Sequence, residues 1–370
     1  MRVAICGAGV IGACTAYFLA RRGIEVVVID RAGVASSASG KAGGFLALDW
    51  CAGSPLDALA RRSFALHAQL PGEIDGDWGY RRMTAYSGFV VAERDPRRHR
   101  HSQPDWLSDG VIIAGAIGTP DTTAIVHPRA FTTAMMRAAQ RYGAVLHDSE
   151  VTGLVRRDTG SAVAGVAAGG ETVAADAVVI AMGPWSLLAA GWTALPPVFG
   201  HRSPSIVYDT GKDVPAEALF LEYQEHDGDA VTVEVFPRAG GDTHVTALSD
   251  DVPLPLDPNA VAPEPDTIER LQRIAQRLSP AFRPERIVAR QACYRPLTQD
   301  GLPLIGKAPH ADNVYVATGH NVWGILNAPA TGEAMAELIA DGAARSTALA
   351  AFDPARLRPL DPAQLRTARA

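Results

Sequence analysis

RVAICGAGVIGACTAYFLARRGIEVVVID, residues 2–30, decides the fold. RVAIC at 2–6 reads as a short buried strand, GAGVIG at 7–12 as a loop, and the following run to about Arg22 as a helix ended by Gly23. IEVVVID at 24–30 is nearly all apolar, as a strand covered on both faces should be. The unit is β-α-β and predicts a parallel sheet. Gly7, Gly9 and Gly12 stand at the G-x-G-x-x-G positions. The first permits the turn, the second lets backbone approach a pyrophosphate, and the third lets the helix pack on the sheet. Aligned peptide dipoles and free amides at the helix start favour the anion. Asp30 ends the second strand, where a carboxylate can accept hydrogen bonds from a ribose 2′-hydroxyl. That carboxylate disfavours a 2′-phosphate, so NAD or FAD is expected over NADP, and the loop alone does not separate the two. The bland alternative is a glycine-rich turn in an unrelated α/β domain.

Working outward, 370 residues with 47% apolar and 20% charged side chains can bury a large core in two lobes. A net charge of -6 argues against a generally basic nucleic-acid-binding surface and leaves only a local patch open. The cysteines at 6, 14, 51 and 293 do not form a disulfide framework and are expected as buried thiols in a reducing compartment. The chain opens without a secretory signal pattern, and its longest apolar stretches, such as Val26–Ile29, are too short to span a bilayer. A soluble cytoplasmic protein without membrane or nucleic-acid partners is the expectation, with oligomeric state left open.

Residues 31–53 are rich in Ser, Ala and Gly and read as a loop that brings its backbone close to a ligand. A helix is expected over 54–70, with Ser54 as N-cap and Asp57 completing a box. The RDPRRHRHSQPD stretch at 94–105 reads as a solvated turn, and its two histidines lack companions at metal-ligand spacing, so no metal is expected. Helices are expected at 127–143, 267–278 and 330–341, short strands between 144 and 182, and an antiparallel sheet with one more solvated face from 203 to 250. The last 28 residues, 343–370, are expected to trail over the surface.

Three further segments, SSASGKAGG at 36–44, YRPLTQDGLPLIG at 294–306 and ATGHNVWGILNAPATG at 317–332, join the GAGVIG loop in one pattern. Together they resemble the D-amino-acid oxidase and glycine oxidase family of FAD-dependent oxidoreductases, in order, from residue 1 to about 342. The C-terminal segment is especially similar to glycine oxidase, while 79–120 and 203–285 share only the layout. The resemblance implies a Rossmann-like FAD-binding domain with an interleaved α+β substrate domain on an antiparallel or mixed sheet. The expected division places 1–78, 121–202 and 286–342 in the FAD domain, 79–120 and 203–285 in the substrate domain, and 343–370 in a C-terminal tail. It also implies hydride transfer from the carbon beside a small primary or secondary amine, in an amino acid, to flavin N5. Imine hydrolysis and hydrogen peroxide formation would follow. A dehydrogenase of an amino or 2-hydroxy acid using an electron carrier instead of oxygen, and a noncatalytic flavin-binding protein, are the alternatives.

The resemblance assigns roles residue by residue. Arg295, in R-P-L-T-Q-D, is the expected clamp for a substrate carboxylate, and a planar guanidinium suits that task. Asp300 is expected to fix the turn. Lys41 is read either as a cation near the flavin ring, a departure from the apolar residue of glycine oxidase, or as a phosphate or surface lysine. His320 is read either as a flavin contact or as a structural hydrogen-bonding residue. The expected cofactor set is completed by Val10, Arg31, Ser37, Ser39, Gly40, Gly43, Val151, Gly183, Trp185, Gly319, Gly324, Ile325 and Leu326. Noncovalent FAD is expected. Cys293, Thr298 and Asp300 nevertheless keep the C-x-x-x-x-T-x-D spacing by which the related monomeric sarcosine oxidases anchor flavin, so a covalent link at Cys293 is the alternative. Tyr208, Tyr223 and His226 are candidates to cap the substrate, and Trp323 to narrow the pocket.

Overall fold

The computed structural model describes residues 1–91, 104–224 and 230–367. The basic turn with His99 and His101, and His226, lie outside the described residues.

The opening strand Arg2–Cys6 sits in the middle of a six-stranded sheet. Its order is Leu304–Lys307, Val314–Thr318, Ala177–Ile180, Arg2–Cys6, Glu25–Asp30 and Val145–Asp148. All pairs are parallel except the first, which is antiparallel at the edge. The apolar runs are buried on both faces for a plain reason. Val3, Ile5, Val26 and Val28 pack under helices Val10–Ala20, Pro128–Arg141 and Gly324–Asp341. Ala4, Cys6, Val27 and Ile29 face a three-stranded antiparallel sheet, Val151–Arg156, Val163–Ala168 and Glu171–Ala174. The Rossmann-like reading of 2–30 holds, with the helix ending at Ala20 and the second strand starting at Glu25.

Helices Val10–Ala20 and Gly324–Asp341 touch closely because Gly332 has no side chain. A Cβ there would stand 2.6 Å from the Cys14 carbonyl carbon.

The second lobe is a seven-stranded sheet. Its order is Ile287–Leu297, Phe199–Asp209, Asp242–Thr246, Val231–Pro237, Glu217–Tyr223, Thr84–Val90 and Val111–Gly118. It is antiparallel except between Glu217–Tyr223 and Thr84–Val90, hence mixed. Strict alternation gives it two unlike faces. Ile206, Tyr208, Val233, Val235 and Val245 pack on Ile268, Leu271, Ile274 and Leu278 of the amphipathic helix Pro265–Leu278. The opposite face carries Ser203, Ser205, Glu234, His244, Thr246, Cys293 and Arg295 towards the first lobe. Strand Ile287–Leu297, expected in the first lobe, hydrogen-bonds here beside Phe199–Asp209.

Several expectations need correction. The helix expected from 54 begins at Asp57, and Ser54 does not cap it. The Ser54 hydroxyl bonds Cys51 O and Leu56 N, while Asp57 pairs with Arg61. The helix expected at 330–341 starts at Gly324 and runs through Pro329. Proline lacks the N–H that would reach Ile325 O. His67 Nε2 takes that carbonyl at 2.9 Å and Leu326 O at 3.2 Å, and Ser63 Oγ accepts the Ala330 N–H. Two residues one turn apart on helix Asp57–Glu73 thus repair the break. Finally, the stretch after 342 does not merely trail over the surface. Phe352 is buried at 1% exposure, and Arg356 clamps the Asp300 carboxylate with two nitrogens.

Candidate active site

The glycine loop is built by close backbone approach. Gly7 has φ +110°, and a Cβ on it would lie 2.4 Å from Ala181 O. A Cβ on Gly12 would lie 1.9 Å from Gly7 O. Helix Val10–Ala20 therefore begins hard against the loop, with no acidic residue in its first turn to offset its positive end. Ser39 Oγ accepts the Val10 N–H at 2.8 Å. Asp30 accepts N–H bonds from Ala8 and Ala32 at 2.7 and 2.8 Å, which orients its carboxylate at the wall of a groove of about 120 Å³. Gly7, Gly9, Arg31, Ser37, Ser39, Val151, Gly183 and Trp185 line the same groove. Arg31 is held there by Glu150, and the Trp185 indole N–H donates to Pro255 O.

Gly9, Ser39 and Gly183 also border a second cavity of about 400 Å³, so the two spaces share walls. This cavity lies between the first lobe and the polar face of the seven-stranded sheet. Val10, Lys41, Gly43, His320, Gly324 and Ile325 form one side, and Arg295 and Cys293 the other. Gly43 admits the Phe236 ring, since a Cβ would meet it at 2.2 Å. Phe45, Trp50, Phe220, Phe236 and Trp323 supply an aromatic corner, with Trp50 and Trp323 edge to face at 6.4 Å. Four expected cofactor residues stand behind these walls. Gly12 packs on Gly7, Gly40 on Ala35 O, Gly319 on Thr298, and Leu326 lies in the core at 1% exposure.

Arg295 Nη2 donates to Ser203 Oγ at 3.0 Å and to Ser249 Oγ. These neutral acceptors orient the guanidinium without neutralising it. Burial lowers the Lys41 ammonium from its ordinary value, Arg129 adds to this, and Cys293 opposes it. Burial raises the Cys293 thiol, against Arg295 and Lys41, so thiolate is scarce at neutral pH. His320 is pushed down to about 3 by burial and is a neutral imidazole. Its Nε2 shares a hydrogen with Thr331 Oγ1 at 3.1 Å, while Nδ1 has no partner among the described residues. Asp300 is bonded by Thr298, the Leu302 N–H and Arg356, which holds its carboxyl below the usual range and fixes the turn after Arg295.

Sequence reasoning missed Glu234, Ser203 and Thr246, all at the large cavity. A signal was present, because Glu234 alternates with Val233 and Val235 and so must face away from their core. Tyr208 is a correction. It is fully buried on the opposite face, against Phe282, and cannot cap a substrate in this cavity. Tyr223 also packs on that core. Among the described residues, no group of three or more His, Cys, Asp or Glu is placed to hold a metal, and no helix is long and apolar enough to cross a membrane.

A groove ending on a glycine loop and helix start, opening into a cavity with an aromatic corner, is the shape a flavin dinucleotide needs. The orphaned Ser37 hydroxyl and His320 Nδ1, and the bare floor at Gly9, fit such a group. The fold and site thus define a dinucleotide-dependent oxidoreductase. Residues 2–338 match the family of FAD dependent oxidoreductases described under DAO, and the chain belongs to that family. It is similar to a Schizosaccharomyces pombe chain named as an oxidoreductase without a stated substrate, at 30% identity over 95% of this chain and 97% of that one. It is also similar to glycine oxidase of Geobacillus kaustophilus, at 29% identity over 91% of this chain and 92% of the relative. The solved structure of a Geobacillus kaustophilus glycine oxidase superposes with a TM-score of 0.77 at 26% identity, covering 96% of this chain and 99% of that one. L-proline dehydrogenase from P. horikoshii superposes at 0.78 with 21% identity, a likeness of fold alone.

Proposed function

We propose that the chain oxidises a small amino acid at the carbon bearing its primary or secondary amine, with oxygen as the final electron acceptor. The observation that carries this reading is Arg295, an arginine facing the large cavity with only serine hydroxyls as polar partners among the described residues. A guanidinium so held offers paired N–H donors to a carboxylate. When bound, FAD would supply a two-electron acceptor for the hydride, with reoxidation by oxygen giving hydrogen peroxide and water hydrolysing the imine product.

The chain's own residues bind and orient. Gly7, Gly9, Val10, Ser37, Ser39, Asp30, Arg31, Val151, Gly183 and Trp185 would hold the dinucleotide along the groove. His320, Gly324 and Ile325 would face the ring system, and Lys41 would set a positive field beside it. Trp50, Trp323 and Phe236 line the cavity and would exclude water from the reacting carbon and limit the side chain admitted. The relatives named glycine oxidase support a small substrate.

The test is anaerobic titration of the purified yellow protein with glycine, sarcosine, proline and D-amino acids. Bleaching of the flavin by at least one, with peroxide on readmitting air, is expected. Arg295→Ala should raise the concentration of a carboxylated substrate needed for half-saturation by about 10- to 100-fold, the worth of a charge-assisted pair. A flavin that no amine bleaches would refute the reading. Bleaching followed by slow reoxidation in air would assign the electrons to a carrier instead.

A further inference from the structure

The strand Val231–Pro237 reads VTVEVFP, and its alternation sends Val233 and Val235 into a sealed core. Glu234 points the other way and lines the large cavity. It sits in a transverse row across four strands, Phe220–Glu234–Thr246–Ser205, where directly paired side chains share a face. Among the described residues its carboxylate has no hydrogen-bond or ion-pair partner. The charge acting on it is Arg295.

The two charges do not meet. Arg295 Nη2 is tied to Ser203 Oγ at 3.0 Å, Ser203 Oγ lies 3.4 Å from Thr246 Oγ1, and Thr246 is the cross-strand neighbour of Glu234. Ser203, bonded to the cation, and Thr246, in register with the anion, stand on the same cavity wall. A charge left without a counter-charge in such a place is costly. A ligand with its own two charges in the opposite sense relieves both. A zwitterionic α-amino acid is such a ligand.

We propose that Glu234 binds the ammonium group of the substrate while Arg295 binds its carboxylate, and that Glu234 then accepts one ammonium proton. This rests on the reading of the substrate as an amino acid. In that step one N–H bond breaks, its electron pair stays on nitrogen, and an O–H bond forms on the Glu234 carboxyl. The neutral amine so formed has the lone pair that departure of hydride from the adjacent carbon requires. The proton passes to water when product leaves. Burial raises the Glu234 carboxyl above its usual range, against Arg295, which strengthens it as a base. The other titratable groups on the cavity wall are Lys41, His244, His320 and Cys293. Both histidines are held neutral by burial, and the thiol is held protonated. Activity therefore falls on the acid side as Glu234 takes up a proton, and with the wild type this limb should appear in kcat/KM.

The experiment uses FAD-loaded enzyme and the amino acid that best reduces it. Glu234→Gln should lower kcat/KM by about 10- to 100-fold, the loss expected for a hydrogen bond to a charged group, and should erase the acid limb. Propionate, a carboxylate without an ammonium, should bind Glu234→Gln as tightly as wild type or more tightly, and should be lost with Arg295→Ala. In wild type, propionate should bind more tightly as pH falls from 8 to 5, because protonating Glu234 removes a repulsion. This arm needs no variant to fold. A kcat/KM within twofold of wild type with the acid limb intact, or propionate binding independent of pH, would overturn the role of Glu234 while leaving the amino-acid reading standing. If no amino acid reduces the flavin, that reading fails and the role of Glu234 fails with it.

Discussion

Lowering the pH from 7 to 5 should destabilise the fold by about 4 kcal/mol through His67 and His320 alone. Burial pushes His67 down to about 4 and His320 to about 3, from 6.5 in the unfolded chain. The geometry explains why neither accepts a second proton. His67 Nε2 is committed to Ile325 O and Leu326 O, His320 Nε2 to Thr331, and both Nδ1 atoms are buried without an acceptor among the described residues. These folded-state values are depressed, so the stability they confer is full above 6.5 and is lost as pH falls towards 4 and 3. At pH 5 the unfolded imidazoles are nearly all charged and the folded ones nearly all neutral, which is worth about 2 kcal/mol each relative to pH 7. His244, lowered by burial and Arg238, acts in the same direction, and Glu234, raised by burial, acts against it. The lowered carboxyls of Asp250 and Asp300 lose their contribution only below 3.8. The assay is urea unfolding at pH 7 and 5 of protein stripped of FAD, for wild type and His67→Gln. Glutamine keeps an N–H donor for the two carbonyls but does not titrate, so the variant should lose about 2 kcal/mol of the pH dependence. Equal pH dependence in the two proteins would refute the assignment of the acid limb to His67.

Gly12→Ala should abolish retention of flavin during purification. Its Cβ would fall 1.9 Å from a backbone oxygen that cannot move without displacing Gly7, where ordinary overpacking already costs about 1–3 kcal/mol. An alanine variant that purifies yellow to the same extent as wild type would contradict the close-packing account. Acid precipitation of the native protein should leave the yellow colour wholly in the supernatant, with Cys293→Ser behaving alike, since the buried thiol is held protonated. A yellow pellet that disappears in Cys293→Ser would establish a covalent link instead.

What could be read from the chain depended on whether a residue's role was local. Gly7, Gly12 and Asp30 act within one β-α-β unit, so their spacing carried their meaning directly. Pro329 illustrates the opposite case. Its place in a helix depends on Ser63 and His67, more than 250 residues earlier, and no local pattern announces that repair. The expected helix therefore began only near 330, though the helix starts at Gly324. Phe352 and Arg356 are equally nonlocal, anchored to a core and to an Asp300 turn that a tail of Ala, Arg and Pro does not reveal.

The substrate-facing sheet shows a subtler limit. The alternation of Tyr208 with Val207, or of Glu234 with Val233, was visible, but alternation fixes only which residues oppose one another. It leaves open which set meets helix Pro265–Leu278 and which meets the cavity. Counting apolar residues resolves that phase. Val233, Val235, Ile206 and Val245 outweigh a single tyrosine, so Tyr208 goes to the helix with them and its hydroxyl is buried without a partner among the described residues. The set left over contains Ser203, Ser205, Thr246, Glu234 and Arg295, beside Phe220 and Phe236, which pack on Phe45 and Trp50 at one corner. The polar part of that face lies over the cavity, where a charged ligand would offset the cost of burying its charged groups. The polarity of that face and the glycine loop opposite it are therefore two halves of one requirement, and an apolar substitution at Glu234 or Thr246 should alter ligand binding before it alters folding.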